Sequence, residues 1–329
     1  MTQSLKEMGG YLPFESHLVN NIHFFDRYAG HKYLSVNCGR AAFFIAAKSM
    51  AINRIWLPVL NCADTRVPFD DLGIEVSFYK LDEQLLPKVD SLERDEGILW
   101  TNYYGNASPE NLSYIEERYG GNLIVDNCHA FYSTPLKNAW NCYSTRKFFG
   151  VADGGFLVYP SEYFCSEPNL PKGTSAANMR HLFEQLHLGT NAGYSASQQN
   201  EDRLAASYTR MSSLTDMLLR CIDYDKIREI RTKNILTLHS HLKNLNEFDV
   251  NITSPDHMYY PFLYVAEDLR YQLVKDKIYN PQWWKHVMSE VSTFDIEYKL
   301  SKFMIMLPID QRYSMSDMNT IVSRVKNNV

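Results

Sequence analysis

Five places along the chain combine residue types that can do chemistry. Asp126 directly follows the apolar run Leu123-Ile124-Val125. A carboxylate there is costly to bury unless it meets a positive charge or hydrogen-bond donors. It reads either as the partner of a cationic ligand group or as a helix cap or turn former. His129 lies three residues later. Taken alone it reads as a satisfied structural histidine. Lys147 stands in Ser144-Thr145-Arg146-Lys147-Phe148-Phe149-Gly150, ahead of Asp153-Gly154-Gly155. A lysine beside apolar side chains can have a lowered pKa and serve as a nucleophilic amine. The plain alternative is a surface lysine. Gly39-Arg40-Ala41 opens a helical stretch, and free N–H groups at a helix start form an anion site. Asn102, in Asn102-Tyr103-Tyr104-Gly105, suits a hydroxyl or phenolate, or simply a turn.

Other chemistries find no support. HExxH, GxSxG, EF-hand, GxGxxG and GxxxxGK patterns are all missing. The six cysteines form no CxxC pair and have small or apolar neighbours. They read as reduced thiols of a cytosolic protein, with no metal site.

These residues need elements to position them. Residues 41–47 read as a helix, 54–58 as a strand, 65–72 as helical, and 74–79 and 98–101 as strands. Pro109–Tyr119 reads as a helix with Ser108 as N-cap and Pro109 in its first turn. The strand at 123–125 ends in Asp126, and another covers 155–159. Short, continuous apolar strands alternating with helices predict an α/β domain with a largely parallel sheet. In such sheets ligands sit beyond the carboxyl ends of the strands, where Asp126 and Asn102 fall. Residues 160–205 predict a long loop plus a helix. Residues 208–246 read as helical throughout, with Leu214, Leu218, Leu219, Ile222 and Ile227 as the apolar stripe. The tail reads as a strand at 260–265, a helix at 267–277, a strand at 303–308 and a last helix capped by Ser316. The expected organisation is an N-terminal arm over 1–35, a large domain over 36–235 and a small α/β domain over 236–329.

Composition bounds the function. The 329 residues hold 33 Lys plus Arg against 38 Asp plus Glu, a net charge of −5. That argues against a general electrostatic grip on nucleic acid or an anionic membrane. No apolar run reaches membrane-span length, and the first residues do not read as a secretory signal. The 22 tyrosines suggest polar-edged aromatic surfaces, such as an interface or a sugar-contacting cleft.

In order, these pieces resemble the DegT/DnrJ/EryC1/StrS sugar aminotransferases, which have the pyridoxal-phosphate-dependent transferase fold of type I. Cys38-Gly39-Arg40-Ala41-Ala42 looks like the family's phosphate turn. Trp56-Leu57-Pro58-Val59-Leu60-Asn61-Cys62 looks like its LPxYxC strand end, and Ile124-Val125-Asp126-Asn127-Cys128-His129-Ala130 like its cofactor strand. The run Ser144 to Gly155 looks like its lysine loop. Leu307-Pro308-Ile309 and the run Tyr313 to Asp317 resemble its closing strand and helix. The resemblance implies pyridoxal 5'-phosphate as cofactor, with Lys147 as the amine that binds it and shuttles protons. Asp126 would keep the pyridine nitrogen protonated. Gly39, Arg40 and Ser144 would bind the phosphate, with His129 and Asn102 at the phenolic oxygen. Cys62 would stand where relatives stack an aromatic on the ring, and His129 where the family often has Gln. Asn191, in the loop from Gly189 to Tyr194, would reach a partner chain's site in a homodimer. The implied activity is transfer of an amino group, from glutamate, to a nucleotide-linked keto sugar for glycoconjugate synthesis. The rival readings are a dehydratase or non-sugar aminotransferase on the same cofactor, or a non-catalytic binding protein.

Overall fold

The apolar runs of the first half pair into one seven-stranded sheet in the computed structural model, which describes residues 22–166, 169–253 and 256–329. The strands are β1 (His31–Val36), β2 (Arg54–Pro58), β3 (Glu75–Tyr79), β4 (Glu96–Thr101), β5 (Leu123–Asp126), β6 (Trp140–Ser144) and β7 (Gly155–Pro160). Their spatial order is β1-β7-β6-β5-β4-β2-β3. β3, β2, β4, β5 and β6 run parallel to one another, while β7 is antiparallel to both β6 and β1. Every residue of β4 to β7 is buried, which is why these strands read as continuous apolar runs.

Period-two alternation sends side chains into two cores. Leu99 and Ile124 are register partners on one face, and Trp100 and Val125 on the other. The first pair packs with Leu57, Cys142 and Leu157 against Ala41, Ala42, Ile45 and Ala46 of the helix Gly39–Met50. Small side chains on that helix let it lie close to the sheet. The second pair packs with Tyr103, Trp284, Leu300 and Met304, so the second face is covered by the C-terminal part of the chain. There β8 (Tyr259–Leu263) and β9 (Met304–Pro308) pair antiparallel, and helices Tyr224–Leu242 and Met315–Lys326 share their core.

Several elements differ from the expected ones. The span read as an arm ends in β1, an edge strand held by β7. Before it, Phe24 and Phe25 are buried against Phe131 and Tyr143. Residues 1–21 of that span lie outside the described residues. β6, for which the sequence predicts no element, is fully buried, and the Asn141 amide donates to the Leu136 and Ala139 carbonyls at 3.0 Å each. Residues 160–205 contain two helices, Arg180–Leu188 and Tyr194–Ala205. The expected helix over 208–246 is broken into Ser213–Arg220 and Tyr224–Leu242, each with its own N-cap. Ser212 and Asp223 accept from the N–H groups of Thr215 and Lys226. Of the expected stripe, Leu219 alone is fully buried. Ser314, not Ser316, caps the last helix, in a reciprocal box with Asp317. The expected cap at Ser108 is present, accepting from Asn111 N–H at 3.2 Å.

Candidate active site

Asp126 ends β5 in the middle of the sheet, at its carboxyl edge. It is 6% exposed. Its Oδ1 accepts the Cys128 N–H at 2.9 Å. Among the described residues no Lys, Arg or His side chain forms an ion pair with it. A buried carboxylate left so lightly compensated is expensive, and the arrangement fits a cationic group arriving from outside the chain.

The lysine loop comes from β6 and returns through β7. Its base is pinned on both sides. The Thr145 carbonyl accepts Phe148 N–H at 3.0 Å and Phe149 N–H at 2.9 Å. Asp153 accepts from Ser212 N–H and Ser212 Oγ at 2.8 Å each, and from Thr215 Oγ1. Gly154 has φ +121°, and a Cβ there would stand 2.3 Å from Thr145 Oγ1, so only glycine fits this corner. Lys147 is half-buried on the loop. Its charge bears on Cys128 and His129, the residues two and three places after Asp126. Lys147 is thus within electrostatic reach of the segment that follows β5.

Gly39 and Arg40 arrive from a third element. A Cβ on Gly39 would stand 2.8 Å from Cys128 Sγ, which puts the start of the helix Gly39–Met50 against the Asp126 segment. No side chain caps this helix and no acidic residue lies in its first turn. Arg40 sits there, against the usual dipole preference, and pairs with Asp64 at 2.7 Å. Uncapped N–H groups beside an arginine form a cradle for an anion. The charges of Arg40 and Lys147 both bear on Glu201, which holds Arg146 in a two-pronged ion pair. Ser144, fully within β6, is register partner to Gly155 and buried.

His129 is 5% exposed, and burial, then the Lys147 charge, hold its pKa well below the usual histidine value. It is neutral at pH 7. Burial, then the Asp126 charge, push the Cys128 thiol up, so it stays protonated. Asn102 lies close by, but its groups are already engaged. Its N–H donates to the Asp126 carbonyl at 3.0 Å, and Nδ2 donates to Asn127 Oδ1 at 3.2 Å. Oδ1 accepts Ala107 N–H at 3.2 Å. Asn102 therefore braces β4 to β5. Cys62 is exposed four residues beyond the end of β2, its N–H held by Asn61 Oδ1 at 2.7 Å. Asn191 is exposed in the turn between helices Arg180–Leu188 and Tyr194–Ala205.

Sequence reasoning missed the neighbours of His129. Trp283 and Trp284 pack on its ring from 154 and 155 positions away in the chain, and the Gly105 backbone lies close enough to its carbonyl that a Cβ there would stand 3.0 Å from the oxygen. The adjacent tryptophans were visible as a pair. Nothing in the spacing tied them to His129.

No protein-family profile and no curated protein sequence matches the chain. Solved structures do. The sugar aminotransferase CalS13 from Micromonospora echinospora is 14% identical, with a TM-score of 0.60 over 90% of this chain and 87% of that one. A DegT DnrJ EryC1 StrS aminotransferase from Brucella abortus is 15% identical, with a TM-score of 0.58 over 92% and 88%. NtdA from Bacillus subtilis, with bound cofactor PMP, is 12% identical, with a TM-score of 0.60 over 90% and 72%. The chain shares the fold of these aminotransferases, the type I fold of pyridoxal-phosphate enzymes.

Proposed function

We propose that this chain is a pyridoxal-phosphate-dependent aminotransferase. It would move an amino group from glutamate to a keto sugar carried on a nucleotide, as a cytoplasmic homodimer. This reading is supported by Asp126, buried at the end of β5 with no paired cation among the described residues, and by Lys147, whose charge bears on Cys128 and His129 just beyond it. The fold adds a consistent setting, and the solved aminotransferases named above motivate the sugar substrate.

The residues present fit that cofactor. The start of the helix Gly39–Met50 carries no side-chain cap, so its first N–H groups are free to take a phosphate. When bound, pyridoxal phosphate would supply an aldehyde carbon that can accept an amino group and a ring that can take up electrons. The Asp126 carboxylate holds a proton on the ring nitrogen, because an adjacent negative charge favours the protonated form. Lys147 Nζ would hold the cofactor covalently and, once the incoming amine has displaced it, would as a free amine move a proton from the substrate Cα to the cofactor as general base and acid. Neutral His129 orients a hydrogen bond without adding charge. Arg40 and the first N–H groups of the helix bind the phosphate, with the Ser144 hydroxyl as a further donor.

The homodimer is supported by a run of exposed apolar residues around Asn191. Phe183 is 54% exposed, Leu186 76%, Leu188 73% and Tyr194 67%. Such a cluster is unusual on a surface facing water, and a second copy would cover it.

The test is the absorption spectrum of the protein with pyridoxal phosphate, before and after borohydride. Expected is a near-visible band that reduction abolishes, with a pyridoxyl group mapped by mass to Lys147. Glutamate should then convert the cofactor to its amine form, and nucleotide-linked keto sugars should convert it back. A protein that gives no band with added cofactor would overturn the reading.

A further inference from the structure

The ring of His129 lacks the device that normally sets a functional imidazole. A working histidine is usually oriented by a hydrogen bond from its second ring nitrogen. Here Nδ1 is buried and has no partner among the described residues. Its orientation must come from packing. Three rings lie nearly parallel in sequence: Tyr104, Trp283 and His129. Trp283 is stacked on His129 at 4.6 Å between centroids and 24° between planes, and on Tyr104 at 6.2 Å and 17°.

Both ends of this stack are fixed. Tyr104 has φ +62°, rare for a residue with a side chain. Next to it Gly105 has φ +78°, and a Cβ there would stand 3.0 Å from the His129 carbonyl oxygen. Strain of this kind persists only where the surroundings over-determine it. On the other side Trp284 also has positive φ, and its carbonyl accepts Ser301 Oγ at 3.1 Å. Gln282 donates to the Ser301 carbonyl at 3.0 Å. Trp283 is thereby tied to the C-terminal part of the chain while its ring covers a residue of the sheet edge.

We propose that Trp283 is a positioning residue that sets the plane and tautomer of His129, and that it does so for the cofactor site. This rests on the reading above only in the second clause. The tautomer follows from the unpaired nitrogen. A buried N–H without an acceptor is rarer and costlier than an acceptor without a donor. The proton therefore sits on Nε2, and His129 offers a donor there. Trp283, stacked on the ring, blocks rotation that would exchange the two nitrogens.

The test uses the apo protein and the loaded protein separately. In ¹⁵N-histidine-labelled apo protein, the His129 signals are identified by their loss in His129→Gln. They should be ring-current shifted, of the Nε2–H tautomer, and free of titration across the neutral range. In Trp283→Leu the shift should vanish, tautomers should mix, and His129 should titrate at higher pH. Trp283→Phe should restore all three. In the loaded protein, Trp283→Leu should displace the cofactor absorption maximum and weaken cofactor binding about tenfold, with Phe again restoring both. If Trp283→Leu fails to fold, Tyr104→Leu removes the far support of the stack and should mix the tautomers in the same way. His129 signals unchanged in the folded variant would overturn the proposal. If no cofactor binds to the parent protein, the apo measurement still decides the first clause.

Discussion

Gly39 and Cys128 meet so closely that a methyl group on Gly39 would lie 2.8 Å from the sulfur. Under 3 Å something has to move, and Cys128 Sγ is wedged beside the Asp126 segment. Gly39→Ala should therefore cost about 1–3 kcal/mol through overpacking, measured by urea unfolding. It should also weaken phosphate and cofactor binding by pushing the helix start away. Gly39→Ala combined with Cys128→Ala should recover most of the loss. A double variant as unstable as the single one would show that the contact is not the cause.

Lys147 and Asp126 should separate by readout. Lys147→Ala should lose the borohydride-fixed adduct and reduce kcat by at least about 10²–10⁴-fold, the span of a general acid–base group. Asp126→Asn should keep the adduct on Lys147 but lower kcat by roughly 10²–10³-fold, the scale of one lost electrostatic contact. Mass mapping and single-turnover rates check both. An Asp126→Asn enzyme with unchanged kcat would remove Asp126 from the mechanism.

Acid should destabilise the fold through His257. Its Nε2 donates to Asn106 Oδ1 at 3.0 Å, while Nδ1 is buried without a partner among the described residues. Asn106 is held the right way round, since its amide donates to the Asp249 carbonyl and its oxygen accepts Asn251 N–H. Burial, then the charges of Arg231 and His239, push the His257 pKa down from 6.5 to about 3. A pKa lower in the folded state means the unfolded chain binds the extra proton first. The stability is complete above pH 6.5 and is lost as pH falls toward 3. From pH 7 to pH 5 this one residue should remove about 2 kcal/mol. His23 and His129 are shifted the same way and add to the trend. Urea unfolding against pH should be flatter in His257→Gln, which keeps a donor for Asn106. Equal slopes would assign the effect elsewhere.

The exposed apolar run tests the dimer. Leu186→Asp with Leu188→Asp places two charges on residues that are 76% and 73% exposed. In the monomer such surface changes are expected to stay within about 0.5 kcal/mol. The doubly substituted chain should be monomeric by light scattering where the parent is dimeric, with its far-ultraviolet spectrum unchanged. A parent that is itself monomeric at micromolar concentration would end the dimer reading.

Local physics made part of this molecule legible. Runs such as 98–101 and 123–125 are strands because they are apolar and short, and Ser108-Pro109 begins a helix because both residues suit that end. β6 escaped notice because Asn141 interrupts its apolar character. The tertiary fold satisfies that amide with the Leu136 and Ala139 carbonyls. The break between Ser213–Arg220 and Tyr224–Leu242 escaped because Asp223 looks like any helix-surface acid until it is seen accepting Lys226 N–H at 2.9 Å.

By itself the sequence determined the alternation of strands and helices, and the identity and order of Gly39, Asp126, His129 and Lys147. Periodicity and residue type are local properties. What only the tertiary structure decided is which of these residues meet, and what else meets them. Asn102 turned out to be engaged between β4 and β5, and Cys62 to lie exposed. Trp283 came to rest on His129 across 154 positions of chain. Such contacts depend on how two covered faces of one sheet are packed, and a pairing between distant residues leaves no mark in the spacing of either.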